Sequence, residues 1–201
     1  MTAEPIGVIL AGGAGRRLGG DKAGARLAGR PLIAHPVAAM RAAVTDVAIV
    51  TKAAVTLPAC PELEGVAVWV EPSQPCHPLV GIVHALRVAD GRAVLVCAAD
   101  LPFVTAALLR ALAIADAAGA PAVLATGPED DLQPLLGRYE PSALGLLAGP
   151  AAQGTASVRA TVAELCPRYV ALDDPAALFN VNSAAELAEA EEMIAGGARP
   201  R

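Results

Sequence analysis

The chain has 201 residues, 55% hydrophobic and 2% aromatic, with a formal net charge of −5 at pH 7. That length holds one sizeable core, and the abundance of Ala, Val and Leu excludes a disordered chain and suits parallel strands covered by helices. The acidic balance excludes the global basic field that draws nucleic acid or an anionic membrane, and four scattered cysteines (Cys60, Cys76, Cys97, Cys166) exclude a Cys-x-x-Cys cage or disulfide framework and fit a reducing cytoplasm.

In chain order, the first apolar run, Ile6–Leu10, follows Glu4 and is too short for a signal peptide or a membrane span. Short β-branched runs predict buried strands over Gly7–Leu10, Val47–Thr51, Val66–Val70, Ala93–Cys97 and Ala122–Ala125. Between them, helical spacing predicts helices over Leu32–Ala43, Leu79–Ala89 and Ala106–Ala118. The last has Thr105 placed as N-cap and Gly119 just past its end. Further on come a strand at Leu132–Tyr139, short helices at Pro141–Leu147 and Thr155–Leu165, and a strand at Tyr169–Leu172. Ser183-Ala-Ala-Glu186 has capping-box spacing before a last helix reaching about Ile194, and Gly196–Arg201 reads as a flexible tail. Such βα alternation predicts an α/β fold: a parallel sheet, helices on both faces and right-handed crossovers, in one domain over residues 1–195.

Five of the 15 basic residues (Arg16, Arg17, Lys22, Arg26, Arg30) fall between positions 16 and 30 against a single acid, Asp21, which reads as a local anion site. In open parallel sheets, ligands bind where strand ends meet helix starts, and Ala11–Lys22 is such a loop. Gly12, Gly13 and Gly15 allow positive φ and let N–H groups approach an anion, while Arg16, Arg17 and Lys22 supply charge for a triphosphate. A P-loop would need Gly-x-x-x-x-Gly-Lys-Ser/Thr, and Gly20-Asp21-Lys22-Ala23 lacks both the spacing and the hydroxyl. A dinucleotide-binding reading rests on Gly13-x-Gly15 with ambiguous support from Thr51-Lys52. An ordinary glycine-rich turn leaves three cations in seven residues unexplained.

Leu10-Ala-Gly-Gly-Ala-Gly-Arg-Arg-Leu-Gly-Gly-Asp-Lys22 resembles the signature of the molybdenum cofactor guanylyltransferases, within the nucleotidyltransferase superfamily. The similarity runs over about residues 5 to 190 and takes in Leu27-x-Gly-Arg-Pro-Leu32, Asp100-Leu-Pro-Phe103, Gln133-Pro-Leu135 and Phe179-Asn-Val-Asn-Ser183. It implies a Rossmann-like three-layer sandwich with a mostly parallel mixed sheet. It further implies transfer of GMP from Mg-GTP to the phosphate of molybdopterin in the cytoplasm, with release of pyrophosphate. Contacts with nucleic acid or membrane are not expected; transient contacts with cofactor-delivering or acceptor proteins are.

The resemblance gives Leu10, Ala11, Gly12 and Gly13 backbone contacts to guanine or ribose, and gives Arg16 and Lys22 the phosphates. Asp100, at the end of the fourth strand, takes the Mg2+; the competing reading is a turn or capping Asp, a job Thr105 already fills. One or two carboxylates suffice for Mg2+, because triphosphate oxygens and water complete its octahedron. Glu71 stands where the family has Asp near the base, a longer carboxylate able to accept the guanine N1–H and N2–H pair. Cys76-His-Pro-Leu-Val-Gly81 departs from the family pattern by putting His77 where Gly is usual, which narrows the pocket or alters base preference; His77 as a catalytic acid is a further reading. His35 and His84 read as packing or surface residues. Asn180 and Asn182 face a pterin edge or the metal, or else satisfy loop backbone groups, and Ser157 and Arg159 are candidates for the acceptor phosphate. Three alternatives remain: a cytidylyl or sugar-phosphate nucleotidyltransferase, a nucleotide-binding adaptor without turnover, and an NADP-dependent reductase.

Overall fold

The computed structural model describes residues 3–13, 25–128, 131–172 and 174–197. Its elements, in chain order, are β1 (Ile6–Leu10), a hairpin of β2 (Arg26–Leu27) and β3 (Arg30–Pro31), α1 (Ala34–Arg41), β4 (Val47–Lys52), β5 (Ala67–Glu71), α2 (Pro78–Val88) and β6 (Val94–Ala98). The second half adds α3 (Ala106–Ile114), β7 (Ala122–Thr126), β8 (Leu132–Tyr139), α4 (Ala143–Gln153), α5 (Val158–Ala163), β9 (Arg168–Ala171) and α6 (Ala184–Ala195).

Seven strands form one sheet in the order β5-β4-β1-β6-β8-β7-β9. The first four are mutually parallel, β8 runs antiparallel to both β6 and β7, and β9 is parallel to β7. The expected single-domain, mostly parallel mixed sheet is therefore present. β1 and β6 lie at its centre, which is why both read as unbroken apolar runs rather than alternating ones. Successive side chains still point to opposite faces. Val8 and Val96 join Ile82 of α2 and Leu147 of α4 on one side; Ile9 and Leu95 join Met40 of α1 and Leu112 of α3 on the other. The two apolar layers make the sheet the middle of a three-layer sandwich. A smaller cluster, with Leu27, Leu32, Phe103 and Val181, sits under α6, and Phe103 meets Phe179 edge-on. Among the described residues no helix is long and apolar enough to cross a membrane.

Three elements depart from expectation. α3 starts as predicted, with Thr105 Oγ1 accepting from the Leu108 N–H, but it ends at Ile114, well before Gly119. The cause is Arg138 on β8, only 8% exposed. Its guanidinium donates to the carbonyls of Leu112, Ala113 and Ala115, satisfying the orphan acceptors of the helix end. α4 runs on to Gln153 through Pro150; the residue before that proline is Gly149, which has no Cβ to clash with the ring. The β2–β3 hairpin was not anticipated. It turns on Ala28 and Gly29, both at positive φ, the two-residue pattern that suits strand twist. The Ala28 N–H donates to Glu191 of α6, which holds the turn. The N-cap of α6 does form, with Ser183 Oγ accepting from the Glu186 N–H, while the Glu186 carboxylate accepts from the Asn182 N–H and the Ser183 hydroxyl. Most of the predicted tail, residues 198–201, lies outside the described residues.

Candidate functional site

β1, β4, β5 and β6 are parallel, so their carboxyl ends meet at one edge, where they open into a cleft of about 850 Å3. Two hydrogen bonds extend the pairing past the strand ends and fix the cleft floor: Ala11 N–H to Val50 O, 2.8 Å, and Ala99 N–H to Leu10 O, 3.1 Å. Leu10, Ala11, Gly12 and Gly13, which continue β1, and Asp100, which follows β6, all line the cleft.

The last residue of β4, Lys52, pairs in register with the last residue of β5, Glu71. Glu71 is 7% exposed, and both residues line the cleft. Lys52 Nζ lies 3.6 Å from Glu71 Oε1 and donates to Ser73 O at 3.1 Å and Pro72 O at 3.4 Å. Burial pushes the Glu71 carboxyl above its ordinary value, and the Lys52 charge opposes that rise. The carboxylate occupies space that only glycines leave open. A Cβ on Gly12 would fall on Glu71 Oε1, and one on Gly81 would come within 3.1 Å of Oε2. This revises the reason for Gly12. Neither Gly12 nor Gly13 has positive φ; the requirement at Gly12 is for room beside a carboxylate.

His77 is engaged at both ring nitrogens. Nδ1 accepts from the Leu79 N–H at 3.3 Å, capping α2, and Nε2 donates to Ala156 O at 2.8 Å. These two bonds place the ring proton on Nε2 and tie the cleft wall at the start of α2 to the loop before α5. Gly154, at φ +68°, packs against Pro75 in the same clasp. His35 is 4% exposed, with Nε2 bonded to Leu27 O.

Family comparison decides the class. The model of the MobA-like NTP transferase domain matches residues 7–169. The chain belongs to that family. It is thus a nucleotidyltransferase. No curated protein sequence gives a significant match. Among solved structures, molybdopterin-guanine dinucleotide biosynthesis protein A of Archaeoglobus fulgidus superposes with a TM-score of 0.73 at 22% identity, covering 94% of this chain and 98% of that one. The 2-C-methyl-D-erythritol 4-phosphate cytidylyltransferase of Thermus thermophilus gives 0.66 at 20% identity, with 94% and 98% covered. Rv0371C of Mycobacterium tuberculosis, in complex with manganese, gives 0.71 at 18% identity, with 96% and 100% covered.

Within this nucleotidyltransferase, the sequence candidates fall into groups. Leu10 to Gly13, Glu71 and Asp100 share the cleft. Asn180 and Asn182 do not line it; Asn182 Nδ2 donates to Asn180 Oδ1 at 2.8 Å. Between them, Val181 N–H donates to Asp100 O at 2.9 Å, so the pair flanks the backbone of Asp100. Arg16, Arg17, Asp21 and Lys22, with Gly15, lie outside the described residues. Of the basic cluster, the two members among the described residues have partners of their own. Arg30 pairs with Glu62 at 2.8 Å, and Arg26 donates to Gly29 O. Ser157 Oγ caps α5, and Arg159 pairs with Asp131. Sequence reasoning weighed Lys52 only with Thr51, as ambiguous support for the dinucleotide reading, and missed it as the partner of Glu71 in the cleft; the available signal was a cation closing a β-branched run at the carboxyl end of a strand.

Proposed function

We propose that this nucleotidyltransferase transfers GMP from Mg-GTP to the terminal phosphate of molybdopterin, releasing pyrophosphate in the cytoplasm. The observation that carries the reading is the buried Glu71 carboxylate at the cleft wall, beside Gly12 and Gly81. A carboxylate with two oxygens side by side accepts both N1–H and N2–H of guanine, and no other common base offers it two such donors. Backbone groups of Leu10, Ala11, Gly12 and Gly13 hold the ribose end. Lys22 and Arg16 neutralise the triphosphate, an assignment that rests on the family signature.

The chemistry needs no protein nucleophile. An oxygen of the acceptor phosphate attacks the α-phosphorus, the bond from that phosphorus to the bridging oxygen breaks, and pyrophosphate leaves with the electron pair. The chain's part is positioning and charge neutralisation. Among the described residues no three His, Cys, Asp or Glu side chains cluster as a metal cage. A single strand-end carboxylate, Asp100, fits a divalent cation that arrives already bound by triphosphate oxygens. When bound, that cation would offset charge building on the α-phosphate and the leaving pyrophosphate. Asn180 and Asn182, flanking Asp100, serve the pterin edge or the same cation. Four unpaired thiols suit the reducing compartment.

The test is pyrophosphate release with molybdopterin, Mg2+ and either GTP or CTP. Release from GTP alone supports the proposal. Release from CTP alone assigns the cytidylyl branch, and GTP binding without turnover assigns the adaptor reading.

A further inference from the structure

We propose that Lys52 is a specificity-determining residue that donates to O6 of guanine, so that Lys52 and Glu71 together read the whole Watson–Crick edge. The inference rests on the guanine reading of the cleft given above. Lys52 and Glu71 are register partners on adjacent parallel strands, so their side chains leave the sheet side by side into one cleft. The Lys52 side chain is 13% exposed. An ammonium has three protons. Carbonyls of Ser73 and Pro72 take two of them, which holds the cation in place. The third lies on the side of the Glu71 carboxylate, 3.6 Å away as an ion pair, where a bound O6 would share the ammonium with that carboxylate.

A fixed donor beside a fixed double acceptor is the complement of guanine: O6 accepts, while N1–H and N2–H donate. Adenine inverts the pattern. Its N6 amine would face the ammonium and its N1 lone pair would face the carboxylate, leaving buried groups opposed like to like. Lys52 also keeps the buried Glu71 charge partnered, and a purely structural role of that kind would affect every nucleotide alike.

Ligand analogues separate the two roles. 6-Thioguanosine triphosphate keeps N1–H and N2–H but replaces O6 with a poor acceptor; inosine triphosphate keeps O6 but lacks the N2 amine. Affinities are measured by calorimetry for the wild type, Lys52→Met and Lys52→Arg, with GTP, both analogues and ATP. The wild type should prefer GTP to 6-thioguanosine triphosphate by roughly 10-fold or more, as expected for a hydrogen bond from a charged donor. K52M should abolish that preference while retaining the preference for GTP over inosine triphosphate, and K52R should keep both. If K52M weakens all guanine nucleotides equally, with ratios unchanged, the O6 assignment is overturned and the guanine reading stands. If the wild type shows no preference for GTP over ATP, the guanine reading itself fails. Should K52M not fold, the K52R and wild-type ratios decide: loss of the 6-thio discrimination in K52R, or its absence in the wild type, overturns the assignment.

Discussion

Glu71 and Gly12 form a couple in which a missing side chain makes space for a buried charge. Gly12→Ala should weaken GTP binding by roughly 10-fold, since overpacking of this size costs about 1–3 kcal/mol, while circular dichroism reports an intact fold. Unchanged affinity in G12A would show that the carboxylate relocates freely. The pH dependence follows from the direction of the Glu71 shift. Burial raises its folded-state carboxyl above the ordinary 4.5. The folded chain therefore holds this proton more tightly than the unfolded one, and the group's contribution to stability is full below 4.5 and lost as pH rises through the raised value. Guanine recognition needs the ionised form, so GTP affinity should decline on acidification at pH values already above 4.5. Calorimetric titrations of wild type and Glu71→Gln test this; the variant should bind more weakly with a flatter pH profile. Asp100→Ala should abolish pyrophosphate release without loss of fold, and near-normal turnover in that variant would remove the cation from this carboxylate.

Among the elements, α3 illustrates what local sequence carries. Its start was legible because Thr105 caps it within three residues. Its end was not, because the terminating group comes from Arg138, over 20 residues later in the chain and on another strand. Arg138→Met should cost about 2–4 kcal/mol by orphaning buried acceptors, a fall of roughly 5–15 °C in Tm for a domain of this size, with GTP affinity little changed. The same distinction runs through the cleft. The glycine-rich loop and Asp100 are contiguous motifs and could be read directly. The Lys52–Glu71 pair is a register contact between strands, and the ring of His77 is held partly by Ala156, so their roles needed the assembled sheet. The β2–β3 hairpin escaped because each strand has only two residues, too few for any periodicity.

For the molecule as a whole, alternation of apolar runs with helical stretches was enough to foresee the layers, since a strand buried on both faces carries an unbroken apolar signature. Strand order and the reversal at β8 were beyond it, because the apolar pattern does not encode direction. If the cleft binds Mg-GTP, ligand at about 100 times Kd should stabilise the fold by about 2.7 kcal/mol, a rise of roughly 5–10 °C in Tm. NADPH at the same concentration should produce no rise, and a larger shift with NADPH would restore the reductase reading.

Among the described residues β5 is the outermost strand on its side, bonded only to β4, with Val68 and Val70 exposed, whereas β6, which leads into Asp100, lies between two neighbours at the centre. Altering the outermost strand disturbs few packing partners; altering the central one disturbs both apolar layers. Of the pair proposed to set base preference, Glu71 closes this outermost strand and Lys52 closes its neighbour β4, both away from the central strand that leads into Asp100. A descendant of this fold could exchange one nucleotide for another by a few substitutions at its rim and keep its reaction centre as inherited.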